Sequence, residues 1–108
     1  MFQKIYWWKN KKQQRNCEEK EYDEINFSEF YVIDVRTRTE YNEGHLNGSV
    51  NIPLKDIKAK IVTMQPNKDK NILLYCQSGT RSKKAMRTLA KLGYRYVCHL
   101  KGGLENIE

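Results

Sequence analysis

Residues 71–92 read NILLYCQSGTRSKKAMRTLAKL. The first five residues of this stretch are largely apolar and too few for a typical helix, which predicts a buried strand. Residues 82–92 place apolar side chains on one face and lysine and arginine on the other, which predicts an amphipathic helix that ends near Gly93. A strand, a short glycine-containing loop and a helix in this order indicate one unit of an α/β sheet.

The flanking sequence repeats this alternation of short apolar runs and helical patterns. Residues 31–35, 49–52 and 96–100 are predicted strands, and residues 54–64 carry apolar side chains at helical spacing. The fold class predicted from these patterns is therefore α/β, with crossover connections between the strands.

Length and composition favour one compact domain. The chain has 108 residues, of which 39% are hydrophobic, and its six glycines and two prolines argue against a fibrous or low-complexity chain. We predict a basic and aromatic N-terminal arm over residues 1–16 and a single domain over residues 17–108. No apolar run approaches the roughly 20 residues of a membrane span, and residues 1–15 lack signal-peptide features, so a cytoplasmic location is expected.

Charge is unevenly distributed along the chain. The formal net charge is +7, and every charged residue between positions 70 and 104 is basic. Such a surface attracts anions, which leaves nucleic acid, an acidic protein and a small anionic substrate as candidate partners.

The three cysteines, Cys17, Cys76 and Cys98, lie far apart in the sequence. Their spacing excludes a CxxC pair and argues against a disulfide framework. Cys98 is expected to pack in the core, and Cys17 is expected to be an exposed thiol without a role. Neither His45 nor His99 has metal-ligand spacing relative to the cysteines, so no metal is expected.

Cys76 stands at the carboxyl end of the best predicted strand, where open α/β sheets bind their ligands. The start of the following helix favours the thiolate and attracts an anion, because its N–H groups are unpaired. Gly79 permits the loop 77–81 to turn its amides inward as an anion-binding nest. Arg81, Lys83 and Lys84 add positive charge beside the same opening.

Several motifs occur in the order found in the rhodanese homology domain. The stretches VIDVR (32–36), EY (40–41), EGHL (43–46), GS (48–49) and NIPL (51–54) resemble its first signature. The stretches LYCQSGTRS (74–82) and LKGGL (100–104) resemble its active-site loop and closing segment. The resemblance covers about residues 25–107.

The resemblance implies a small α/β domain with a central, mostly parallel sheet flanked by helices, and a sulfurtransferase activity centred on Cys76. A sulfane donor such as thiosulfate would leave a Cys76 persulfide, which passes its sulfur to cyanide, a thiol or a protein acceptor. The loop residues that would bind the persulfide and donor are Gln77, Ser78, Gly79, Thr80 and Arg81, with Arg81 at the anionic end of the donor.

Other residues receive supporting roles or none. Asp34 and Arg36 are predicted to support the loop as a structural ion pair or cap rather than to act in catalysis. An ionised thiol needs no general base, so neither histidine is assigned to proton transfer. No cofactor, nucleic acid or transmembrane segment is expected, and the chain is expected to be a monomer or weak dimer.

Two alternatives belong to other functional classes. Phosphatases and arsenate reductases with similar loops resemble Cys-x5-Arg, whereas four residues separate Cys76 from Arg81 here. Regulatory rhodanese-like modules often lack the cysteine, which this chain retains. After Gly102-Gly103 only a short segment follows in the sequence, from which we expect an open approach to Cys76.

Overall fold

The computed structural model describes residues 18–107 and contains one five-stranded sheet. The strands are β1 (Glu18–Lys20), β2 (Tyr31–Asp34), β3 (Val50–Asn51), β4 (Asn71–Tyr75) and β5 (Tyr96–Leu100). Their order across the sheet is β1-β5-β4-β2-β3, and every pair of neighbours is parallel. The predicted arm and Cys17 lie outside the described residues.

Within residues 18–107, three α-helices flank the sheet: α1 (Arg38–Asn42), α2 (Ile57–Met64) and α3 (Thr80–Lys91). Helix α1 is short but well capped. The Thr37 side chain accepts a hydrogen bond from the Glu40 N–H, and the Glu40 side chain accepts one from the Thr37 N–H. A 3₁₀ turn at Leu54–Asp56 leads into α2, and another at Gly103–Ile107 follows β5.

Two apolar layers cover the two faces of the sheet. Alternate residues of β4 and its extension point to opposite sides, so Ile72, Leu74 and Cys76 join one cluster while Leu73 and Tyr75 join the other. The larger cluster includes Ile57 and Ile61 of α2 and Ala85 and Leu89 of α3. Burial on both faces explains why β4 reads as a continuous apolar run.

The cysteines correct one expectation from the sequence. Cys98 is buried in the smaller core cluster, as predicted, but it is also disulfide-bonded. The small number and wide spacing of the cysteines had argued against a disulfide framework. Cys76 is the free thiol among the described residues.

Within residues 18–107, no helix has both the length and the apolar character needed to cross a bilayer.

Candidate active site

The loop after β4 folds back onto the Cys76 side chain. Cys76 Sγ accepts hydrogen bonds from the Gly79 N–H at 3.1 Å and the Ser82 N–H at 3.3 Å. Both donors belong to the start of α3, for which Gly79 is the N-cap residue. Two aligned N–H groups at a helix N-terminus stabilise negative charge on the sulfur.

Gly79 makes this ring possible through its backbone conformation. Its φ of 100° is left-handed, which glycine adopts without the steric cost of a Cβ. A Cβ at this position would also stand 3.4 Å from the Gly102 nitrogen of the closing segment. The sequence therefore places glycine where the left-handed turn requires it, and the contact with Gly102 is an ordinary van der Waals one.

The closing segment encloses the thiol. The Leu104 N–H donates to the Cys76 carbonyl and the Glu105 N–H to the Gln77 carbonyl, each at 3.0 Å. Cys76 has 0% of its surface exposed. The thiol is therefore buried and not openly exposed as expected, and the short closing segment is hydrogen-bonded to the backbone of the loop.

Arg81 is held by a residue that the sequence analysis did not single out for the site. Its guanidinium forms a bidentate ion pair with Glu40, with Nη1–Oε1 at 2.7 Å and Nη2–Oε2 at 3.0 Å. The hydrogen bonds from Arg81 lower the pKa of Glu40 to about 2. The predicted donor-binding cation thus has a carboxylate partner in the resting structure.

A second unforeseen contact involves His99. Ser82 Oγ lies 2.9 Å from His99 Nδ1, 3.2 Å from the Gly79 carbonyl oxygen and 3.6 Å from Cys76 Sγ. Burial lowers the pKa of His99, Glu19 opposes this shift and Lys83 adds to it. A histidine inside the apolar strand 96–100 was the signal available in the sequence, but the sequence does not reveal its neighbours.

An open pocket of about 280 Å³ lies beside the loop. Its lining includes Ser78, Gly79 and Thr80 of the loop, and the other lining residues are Glu19, Lys83, Lys84, Arg87, His99 and Gly102. Gly79 therefore faces the pocket and also donates to Cys76 Sγ. Three cations from α3 give the pocket a positive potential.

Asp34 and Arg36 form a buried ion pair at the carboxyl end of β2. Arg36 Nη2 lies 2.8 Å from Asp34 Oδ2 and donates to the Gly44 carbonyl at 2.6 Å. The pair fastens the segment after α1 to the end of β2. His45 lies in that segment. Its ring stacks on Tyr41 with the ring centroids 3.7 Å apart, and its Nδ1 lies 2.8 Å from the Tyr41 carbonyl oxygen.

In the part of the chain that the structure covers, no group of three or more His, Cys, Asp or Glu side chains could hold a metal ion.

Comparisons with known proteins identify the family of this chain. The chain is 38% identical over 81 residues to the thiosulfate sulfurtransferase PspE of Escherichia coli (strain K12), which covers 75% of this chain and 77% of that protein. A solved structure, rhodanese with anions from E. coli, has 39% identity and a TM-score of 0.65, covering 71% of this chain and 89% of the other.

The same fold unit occurs within a larger relative. The chain is 33% identical over 76 residues to a tRNA uridine(34) hydroxylase of Photorhabdus laumondii, which covers 67% of this chain but only 22% of that protein. The rhodanese-like domain family itself matches residues 10–108. With the central parallel sheet and this match over most of its length, the chain belongs to the rhodanese-like domain family.

Proposed function

We propose that this protein is a rhodanese-type sulfurtransferase that carries sulfane sulfur on Cys76 as a persulfide. The observation that carries the proposal is the position of Cys76 Sγ, which accepts two N–H groups at the start of α3. Such a ring stabilises a thiolate before reaction and a persulfide anion after it. The similarity to a thiosulfate sulfurtransferase over three quarters of both chains supports the same assignment.

Thiosulfate illustrates the two half-reactions. The Cys76 thiolate attacks the outer sulfur of thiosulfate, a new S–S bond forms, and sulfite leaves with the electron pair of the broken S–S bond. Cyanide or a thiolate then attacks the outer sulfur of the persulfide. The Cys76 thiolate is regenerated, and thiocyanate or a new persulfide leaves.

The surroundings of Cys76 support an anionic donor. Lys83, Lys84 and Arg87 line the pocket beside the loop, and Arg81 also interacts electrostatically with Cys76. In this proposal the pocket cations attract the donor, while Arg81 shares its charge between Glu40 and the donor's anionic end. Because Cys76 is fully buried, the donor gains access when the loop 77–81 moves.

Four loop residues and the Asp34–Arg36 pair complete the assignment. Gln77, Ser78, Gly79 and Thr80 provide the backbone that surrounds the transferred sulfur, and Gly79 provides one N–H to Sγ directly. Asp34 and Arg36 hold the chain at the end of β2, next to β4 in the sheet, and act as supporting residues.

The first experiment is intact-protein mass spectrometry of the wild type and Cys76→Ser after thiosulfate treatment without reductant. We expect one added sulfur atom on the wild type and none on Cys76→Ser. Added cyanide should then remove the sulfur and yield thiocyanate in stoichiometric amount. Thermal melting of both proteins checks that serine, which is similar in size, leaves the fold intact.

Two results would overturn the proposal. If Cys76→Ser retains sulfur and turnover, the sulfur is carried elsewhere. If the wild type takes up no sulfur from thiosulfate or from other persulfide donors, the remaining candidates are oxyanion chemistry, tested by phosphate-ester hydrolysis and arsenate reduction, and a binding module.

A further inference from the structure

A chain of polar contacts leads from the buried sulfur to the pocket. Cys76 Sγ lies 3.6 Å from Ser82 Oγ, Ser82 Oγ lies 2.9 Å from His99 Nδ1, and His99 Nε2 lies 3.5 Å from Glu19 Oε2. Cys76, Ser82 and His99 are buried, whereas Glu19 is exposed. The contacts therefore connect an enclosed thiol with the solvent-facing side of the domain.

Ionisation of a fully buried thiol requires a group that accepts its proton. The Gly79 and Ser82 N–H groups only donate, so they stabilise the thiolate but cannot remove the proton. The Ser82 hydroxyl both accepts and donates, and it lies between Sγ and the imidazole. His99 lines the pocket, and its Nε2 forms no hydrogen bond of standard geometry among residues 18–107, with Glu19 Oε2 at 3.5 Å.

We propose that Ser82 and His99 form a proton relay that converts the buried Cys76 thiol into a thiolate, with Glu19 as the counter-ion of the protonated imidazole. The inference deepens the proposed function, on which it rests. His99 acts through Ser82 and is a positioning residue, whereas Ser82 touches the reacting sulfur.

The relay step balances as follows. The Sγ–H proton moves to Ser82 Oγ as the Ser82 hydroxyl proton moves to His99 Nδ1. The products are a thiolate, an unchanged serine and an imidazolium, whose Nε2–H faces Glu19. The Ser82 hydroxyl then donates to the anionic sulfur, which adds a third hydrogen bond to the two from the backbone.

The charges around His99 set the balance between its neutral and protonated forms. Glu19 of β1 favours the imidazolium, whereas Lys83 of α3 opposes it, and Lys84 and Arg87 line the same pocket. The lowered pKa keeps the free imidazole neutral near pH 7, which is the form that can accept a proton. The negative charge of Glu19 then balances the positive charge that His99 gains with the proton.

The test is the pH titration of thiolate absorbance at 240 nm, measured for each protein as the difference from its own Cys76→Ser counterpart. Two coupled groups titrate in two macroscopic steps, so the wild type should show a partial thiolate signal at low pH and the remainder at higher pH. His99→Asn keeps an amide near Ser82 but cannot take a proton. We expect a single step, without the part of the thiolate signal that the wild type shows at low pH.

Glu19→Gln provides a second variant that does not disturb the core. We expect it to reduce the height of the first step by about half or more, because the imidazolium loses its counter-ion. Glu21→Gln is the matched control, since Glu21 is also exposed but pairs with Lys101 at 3.3 Å. It should retain the wild-type titration.

A two-step titration that persists in His99→Asn would reduce His99 to a hydrogen-bonding role and overturn the relay. A single-step wild-type titration that neither His99→Asn nor Glu19→Gln alters would overturn it as well. The titration needs no sulfur donor, so failure of the relay is distinguishable from failure of persulfide formation in the mass spectrometry experiment.

Discussion

Glu40 and Arg81 join two parts of the chain that the sequence separates by 41 positions. The ion pair ties α1 to the first turn of α3 beside the active loop. About a third of each side chain is exposed, at 32% for Glu40 and 34% for Arg81, so solvent screens the pair and its contribution to stability is modest. The bidentate geometry of the pair nevertheless fixes the orientation of the Arg81 guanidinium.

The ion pair predicts a specific acid dependence of stability. The pKa of Glu40 falls from 4.5 to about 2 on folding, so its stabilising contribution is present above pH 4.5 and is lost as pH falls toward 2. The Glu40→Gln variant lacks this pH-dependent contribution to the free energy of unfolding. We expect the difference in free energy of unfolding between wild type and Glu40→Gln to shrink between pH 5 and pH 2, as measured by urea denaturation.

The same measurement on Glu43→Gln provides the control. Glu43 is an exposed residue that follows α1, and it forms no ion pair within residues 18–107. The free energies of unfolding of Glu43→Gln and Glu40→Gln are compared between pH 5 and pH 2. If both fall in parallel as the pH is lowered, the Arg81 contact does not set the acid dependence of stability.

At the residue scale, local patterns in the sequence identify the site but do not reveal its distant partners. Cys76, Gly79 and Arg81 could be named because strand, loop and helix are contiguous in the sequence. Glu40 and His99 reach the loop only through the sheet order, which places β2 and β5 on either side of β4. A single sequence contains no direct signal for such contacts.

At the scale of elements, the segment after β5 clamps the active loop. A Cβ at Gly103 would lie 2.5 Å from the Gln77 carbonyl carbon and oxygen and 2.6 Å from the Cys76 oxygen. These are backbone atoms, which cannot move aside without opening the loop. Gly103 thus permits the two backbones to approach closely enough for the hydrogen bonds of Leu104 and Glu105.

Gly103→Ala should therefore loosen the loop. We expect a loss of about 2–4 kcal/mol in the free energy of unfolding, combining the left-handed φ of 65° with the backbone clash, and a fall in thiosulfate turnover of tenfold or more. Circular dichroism should still report the sheet. Urea denaturation and a thiocyanate assay measure the two effects.

Gly48→Ala separates conformational strain from the clash. Gly48 has a φ of 86°, and a Cβ there would meet nothing within 4 Å. We expect it to lose only about 1–2 kcal/mol and to keep its turnover. Equal losses of turnover in both variants would show that the close approach at Gly103 is irrelevant to the loop.

The elements themselves were predictable to different degrees. The bounds predicted for β4 and β5 are confirmed, because apolar runs buried on both faces are conspicuous in a sequence. Strand β1 has three residues, all charged, and α1 has five, so neither offers enough periodicity to detect. Their stability derives from pairing with β5 and from the capping box, respectively.

At the scale of the whole molecule, the charge is concentrated where the proposed donor approaches. The net charge is +7, and the pocket receives Lys83, Lys84 and Arg87 from one helix face. Among the described residues that line the pocket, Glu19 is the only acidic one. A dianionic donor is attracted both by the overall field and by these nearby cations, and the two contributions are separable by experiment.

Lys83→Gln and Lys91→Gln each remove one positive charge from α3, but only Lys83 lines the pocket. Two unit charges about 4 Å apart in water interact by about 1 kcal/mol, so Lys83→Gln should lower kcat/KM for thiosulfate by about fivefold at low ionic strength. Lys91→Gln changes the net charge equally and should lower kcat/KM far less.

Near 1 M salt the screening length falls to about 3 Å, so the difference in kcat/KM between the two variants should narrow. Equal effects of the two substitutions at every salt concentration would mean that the overall field, rather than the pocket, draws the donor to Cys76.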